Sequence, residues 1–286
     1  MFEMLISPRH AEKKPYGLFF IGLLYVALSL LMVNIIFSRD PVLSKHSSIL
    51  AITFTVIFSM PFIHSLIRME EIREIVDGQN KILFKPHFRA IVSLLFLFLG
   101  FLAAFTIAYL IMPKDLVLNN FSSQIEQFCR INYPSVEACL KDYGISPITG
   151  NAISLESEFM SILINNIYVL IFTLVFSLTF GAGAIFILAW NASVIAAAIG
   201  LFVKGSVFNV PFGLLAYLTH GIPEIIAYLI AALGGGILST AIIRKDFSGG
   251  KLMNILIDFL VFMIIALVIL VAAALLEVYV TPLFFA

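Results

Sequence analysis

The chain reads as an all-α, polytopic transmembrane bundle of about seven segments, one of them broken or re-entrant, with a small extracytoplasmic cap. Three observations lead there. Hydrophobic residues make up 61% of the 286 and charged residues only 12%, far from the composition of a soluble domain. Apolar runs of about 20 residues recur, the helical length that crosses a hydrocarbon core of about 30 Å. The 17 Lys and Arg and 17 Asp and Glu residues lie mostly between those runs. They sum to a net charge of zero, so no basic balance calls for nucleic acid.

Arg9, His10, Lys13 and Lys14 precede the first run and resemble a signal-peptide n-region. The run that follows, Tyr16 to Phe37, is about twice the length of a signal-peptide core and has no small-residue cleavage site after it, which predicts a retained first span. A polar turn at 38–46 leads into a second span, Ser47 to Ile67, with Pro61 near its end and His64 read as an interfacial ring. From Arg68 to Arg89 the chain turns polar, with Met69, Ile72, Ile75 and Val76 at helical spacing against Glu70, Arg73, Glu74 and Asp77. This stretch reads as a solvated extension of the second span or as a docking helix for a partner, the former being the simpler. Phe88 to Met112 is the third span, and residues 1–112 form an N-terminal three-span region with its polar loop at 68–89.

Residues 113–158 form the one long segment outside the membrane, and it holds both cysteines. Cys129 and Cys139, with no His in the segment, make a poor zinc site and a reasonable disulfide, which needs an oxidising setting. Residues 159–286 form a C-terminal helical core. It opens with Phe159 to Phe180 and Ala182 to Val203, joined by so tight a turn at Gly181 and Gly183 that they are expected to be antiparallel neighbours. The stretch 204–219, interrupted by Gly205, Pro211 and Gly213, predicts a half-helix or re-entrant element. A sixth span then starts at Pro223, a seventh covers Leu252 to Leu276, and Glu277 begins a tail.

Basic residues orient the chain. With the N-terminus cytoplasmic, inside segments collect the N-terminal cluster, Arg68, Arg73, Lys81, Lys85, Arg89, Arg244, Lys245 and Lys251, while Arg39, Lys45, Lys114, Arg130, Lys141 and Lys204 are left outside. The expected location is therefore a cell membrane, with the C-terminus extracytoplasmic. Both cysteines then fall on the oxidising side.

The chemistry-bearing stretch is His220-Gly221-Ile222-Pro223-Glu224, an imidazole and a carboxylate one helical turn apart within apolar sequence. Together with Asn165-Asn166-Ile167, the glycines at 181 and 183, Trp190-Asn191 through Gly200, Ala227 and Gly234-Gly235, this His-Gly-x-x-Glu element resembles the stage II sporulation protein M family of integral membrane proteins, over roughly residues 88–281. The family's namesake resembles a membrane scaffold for a cell-wall hydrolase complex. What the resemblance implies here is a membrane fold and a site, more than a process.

A lone carboxylate at bilayer depth is costly, so Glu224 needs donors. His220, Asn166 and Asn191, with Asn165 beside them, are expected to gather around it, supported structurally by Gly221 and Pro223. Three roles are open to such a cluster: a clamp at a broken helix, a site for an ion or small polar solute, and a metal-dependent intramembrane hydrolase. The last wants a third ligand, and no second His lies at that depth, so neither metal nor cofactor is expected. Asp258 is a second buried acid, expected to pair with Arg244 or Lys245. Gly234-Gly235-Gly236 reads as close helix packing. No phosphate loop, dinucleotide fingerprint or serine elbow is present.

The expected function is non-enzymatic, a scaffold or anchor for other membrane proteins in the lipid bilayer. A transporter or channel-like protein using His220 and Glu224 is the alternative. Gly- and Ala-lined helices admit a homodimer as readily as packing within one chain. On this reading Glu224→Leu harms membrane expression far more than Glu70→Leu, the latter position being taken as solvated.

Overall fold

In the computed structural model the described residues are 7–37, 40, 42–77, 87–132, 139, 158–180, 185–203, 208, 210–243 and 251–281. They form helices α1 (Pro8–Lys13), α2 (Tyr16–Ile36), a 3-10 turn (Leu43–His46), α3 (Ser47–Asp77), α4 (Phe88–Ile111), α5 (Lys114–Asn120), α6 (Ser122–Asn132), α7 (Glu158–Phe180), α8 (Ile185–Val203), α9 (Val210–Ile243) and α10 (Lys251–Tyr279), with no strand among them. Six helices (α2, α3, α4, α7, α9 and α10) are long and apolar enough to cross a membrane, and Ile185–Leu201 of α8 is a shorter apolar helix. This is a multi-pass membrane protein.

The segment from Tyr16 to Asn132 packs from small contacts outward. α2 and α4 meet at paired glycines: a Cβ on Gly22 would lie 2.6 Å from the Leu97 carbonyl oxygen, and one on Gly100 would collide with that of Phe19. Backbones this close maximise dispersion contact where lipid supplies no hydrophobic drive. α8 lies against α3, α4, α6 and α9, and Gly200 leaves room for the Tyr109 ring. At the bundle end where α4 stops, α5 and α6 fold back as a lid. Phe121 is fully buried and meets Phe105 and Tyr109 edge-on. Polar ties fasten it: Asn120 Nδ2 to Asn34 Oδ1 (3.0 Å), Gln124 Nε2 to Ser193 Oγ (3.1 Å) and Ser123 to Ser48 (2.9 Å). Cys129 and Cys139 form the expected disulfide at the far end of α6. In the adjoining turn, the backbone N–H groups of Val42 and Leu43 both donate to Asp40 and hold its carboxyl below the usual carboxylate range.

α9 is the hub. Of its membrane window 88% is buried, against 17% for α7 and 28% for α10, because Ala227, Ala231, Gly234, Gly235 and Ala241 let neighbours approach on every side. A Cβ on Gly234 would lie 3.0 Å from Phe262 of α10, and one on Gly235 3.0 Å from Ser177 of α7. Gly234 and Gly235 of the triplet thus serve the helix packing expected of it. Ser177 Oγ donates to the Ala232 carbonyl and Ser239 Oγ to that of Leu178 (2.7 Å), lacing α7 to α9.

Several expectations are corrected. No re-entrant element ends at His220: α9 runs unbroken from Val210 to Ile243 with Pro223 inside it. A proline removes one backbone hydrogen bond, and membrane helices surrounded by other helices tolerate that loss. α10 continues to Tyr279, so Glu277 is helical and not the start of a tail. α7 and α8 barely touch; α7 packs on α9 and α10, and α8 on α3 and α4. A tight turn fixes where two helices meet, not the faces they present, and Gly200 of α8 is spent on Tyr109 of α4. Gly181 and Gly183 lie outside the described residues.

If glycine contact sets the α2–α4 crossing, Gly100→Val should cost about 2 kcal/mol or more by forcing the backbones apart. Reversible unfolding of the purified protein in mixed micelles measures it.

Candidate functional site

The polar site lies where α7, α9 and the end of α10 converge. Asn166, only 5% exposed, donates from Nδ2 to Glu224 Oε1 at 2.6 Å and accepts from the Tyr228 hydroxyl at 3.3 Å. One amide thus serves both capacities at once, donor to a carboxylate and acceptor from a phenol. Glu224 and Tyr228 sit one turn apart on α9, so they present to α7 together.

His220, one turn before Glu224, does not bond to it. Its Nδ1 shares a hydrogen bond with Thr281 Oγ1 at 2.9 Å, and that hydroxyl donates on to the Leu276 carbonyl (3.4 Å), which makes the imidazole the donor to Thr281. Antiparallel packing of α9 on α10 then sets Glu277, four residues before Thr281, opposite Glu224, four residues after His220. The two acids lie within electrostatic reach of each other and of Tyr228. The described site is therefore Glu224, Asn166, Tyr228 and Glu277, with the His220–Thr281 tie beside it.

Two residues expected here are elsewhere. Asn165 is turned about 100° away from Asn166 around the helix and is exposed. Asn191 turns its Nδ2 back to the Ile187 carbonyl of its own helix (2.7 Å). Gly221 has room around it, since an added Cβ would meet only Ile195 Cδ1, at 3.7 Å. Pro223 sits inside α9 and not at a helix start.

Glu277 and Tyr228 were missed by sequence reasoning. Glu277 lies just past the last apolar run, and a tyrosine within an apolar helix carries little signal. The register of α9 on α10 is what brings them in.

A second buried polar pair lies at the other end of the bundle. Glu70 of α3 is fully buried and bonds through Oε2 to Nδ1 of His87, at the head of α4, at 2.6 Å; the imidazole also meets Phe262 of α10 edge-on. Glu70 was expected to be solvated, and that is overturned. A signal existed: Ser59, Ile63, Leu66 and Glu70, spaced four, three and four residues apart, all lie on the buried stripe of α3. Asp258 lines a small cavity with Gly234, Ile237, Ile255, Phe259 and Phe262. Its expected partners, Arg244 and Lys245, lie outside the described residues. His64 is exposed on α3. Among the described residues no three His, Cys, Asp or Glu side chains are grouped to hold a metal.

The family model for stage II sporulation protein M matches residues 91–282, about two thirds of the chain. The chain belongs to the stage II sporulation protein M family. No curated protein and no solved structure matches it. The family segment takes in every helix from α4 to α10, and so Asn166, His220, Glu224, Tyr228 and Glu277, while α2 and Glu70 of α3 precede it.

Since Glu70 is buried and bonded like Glu224, Glu70→Leu and Glu224→Leu should both lower stability, each by about 2–4 kcal/mol, because each strands a buried partner. Asn165→Leu and Gly221→Ala should change it by less than about 1 kcal/mol. Thermal denaturation of fluorescent fusions in detergent compares the four.

Proposed function

We propose that this protein is a non-enzymatic membrane scaffold that holds partner proteins at the lipid bilayer, with the N-terminus cytoplasmic, the C-terminus outside and the α5–α6 lid on the outer face. One observation carries this reading: the deep polar side chains tie helix to helix. Asn166, Glu224 and Tyr228 join α7 to α9; His220 and Thr281 join α9 to the end of α10; Ser177 and Ser239 bond to backbone across α7 and α9; Glu70 joins α3 to α4. Groups spent on such ties stiffen a bundle, and a stiff bundle is what an anchoring role requires. The disulfide supports an oxidising outer side for the lid, and the distribution of Lys and Arg supports the same orientation.

A second reading is favoured by one feature, two acids, Glu224 and Glu277, brought within electrostatic reach of each other by α9 and α10. Opposed acids in a low-dielectric interior are a common way to hold an ion or a proton in a transporter.

Proteoliposomes separate the two readings. With the purified protein reconstituted, imposed proton, sodium and potassium gradients should decay at the rate of empty vesicles. Flux above that rate that disappears in Glu224→Gln would overturn the scaffold reading in favour of transport.

A further inference from the structure

The outward face of α7 carries an ordered pattern of exposed side chains. Ser161, Asn165, Tyr168, Phe172 and Val175 are all exposed, the last three by 61%, 59% and 52%. Their spacing of four, three, four and three residues places them on one stripe, the seam along which two helices pair. Asn165 lies about 10 Å inside the helix, at hydrocarbon depth, and its amide makes no hydrogen bond to any described residue. An amide facing lipid with its hydrogen bonds unmade is costly, and a neighbouring helix removes that cost.

The outward middles of α2 and α10 lack this feature. α2 presents Phe20, Leu31 and Ile35, and α10 presents Leu260, Ile264 and Val268, apolar side chains that lipid accommodates as they are. The close-packing glycines are consumed inside the chain, Gly22 and Gly100 on each other's helices, Gly200 on Tyr109, Gly234 and Gly235 on α10 and α7.

We propose that the chain forms a twofold dimer along this stripe of α7, with the two Asn165 side chains bonded to each other. The occupant is a second copy because of what the amide needs. It carries a donor and an acceptor, and a twofold axis along the membrane normal lets each Nδ2–H meet the other copy's Oδ1. A copy in the same orientation brings that amide to the same depth automatically. A single polar residue in an otherwise apolar seam also fixes the register of the pair, as a buried Asn does in a coiled coil. Asn166 looks inward to Glu224 while Asn165 looks outward to the partner, so two adjacent amides hold the two sides of one helix.

The full chain purified into liposomes tests this, since only copies of itself are then available. Its native cysteines are joined to each other, so a single added cysteine reports contact. Under oxidant, Tyr168→Cys should cross-link into dimers and Val268→Cys on α10 should not. In a fluorescence dilution series, Asn165→Leu should weaken dimerisation about 3- to 30-fold, and Asn165→Gln should restore most of it. A protein that stays monomeric at every protein-to-lipid ratio, dimers joined through Val268→Cys, or an Asn165→Leu variant that dimerises like the parent would each overturn the proposal.

Discussion

The hydrogen bond from Asn166 to Glu224 sets the terms for the rest of the structure. A carboxylate placed in the apolar middle of a helix must find a donor, and lipid has none. The donor comes from α7, which fixes how α7 rotates against α9, and that rotation decides which of two adjacent asparagines faces inward. With Asn166 committed to Glu224 and Tyr228, Ser177 and Ser239 fall into register along the same seam, and Gly235 meets the Ser177 side chain. One polar contact and a run of small residues thus specify the same helix pairing, and such agreement between levels favours a single native arrangement.

The two polar centres divide the molecule's ends. Glu224 and its neighbours join α7, α9 and the last turns of α10, while Glu70 and His87 join α3 and α4 beneath Phe262, near the middle of α10. α10 therefore touches both. Its middle is apolar and largely outward-facing, with only 28% of its membrane window buried. A buried stripe through Ile255, Phe262, Ala266, Leu270 and Ala273 packs α10 on its neighbours along its length, and the polar ties set the register of that seam.

Much of this was legible in the sequence, and the failures have identifiable causes. The spans were readable because about 20 apolar residues are a physical length, and Glu224 stood out because titratable groups are rare at that depth, although His220, expected beside it, bonds to Thr281 instead. The break expected before His220 came from applying Gly and Pro rules suited to helices in water. In a bundle whose neighbours cover the backbone, Pro223 sits inside α9 without ending it. Asn165 and Asn166 could not be told apart because composition does not set a helix's rotation. Glu70 looked solvated from its charged neighbours, although the stripe through Ser59, Ile63 and Leu66 ran straight to it. Glu277 was hidden by position alone, beyond the run that marked the seventh span.

The family match and the geometry bear on different questions. Membership in the stage II sporulation protein M family fixes the class of protein over residues 91–282, and the site of α7, α9 and α10 lies wholly within it. α2 and all of α3 precede that segment, yet α2 is locked to α4 by Gly22 against Gly100, and Glu70 of α3 is tied to His87 just ahead of α4. The matched segment thus folds against a partner surface supplied by its own chain. Under the proposed scaffold role, such a bundle gains stiffness at its inner face while leaving α7 and the lid outward. Those outward elements are where contact with another protein is least constrained by the bundle's own packing.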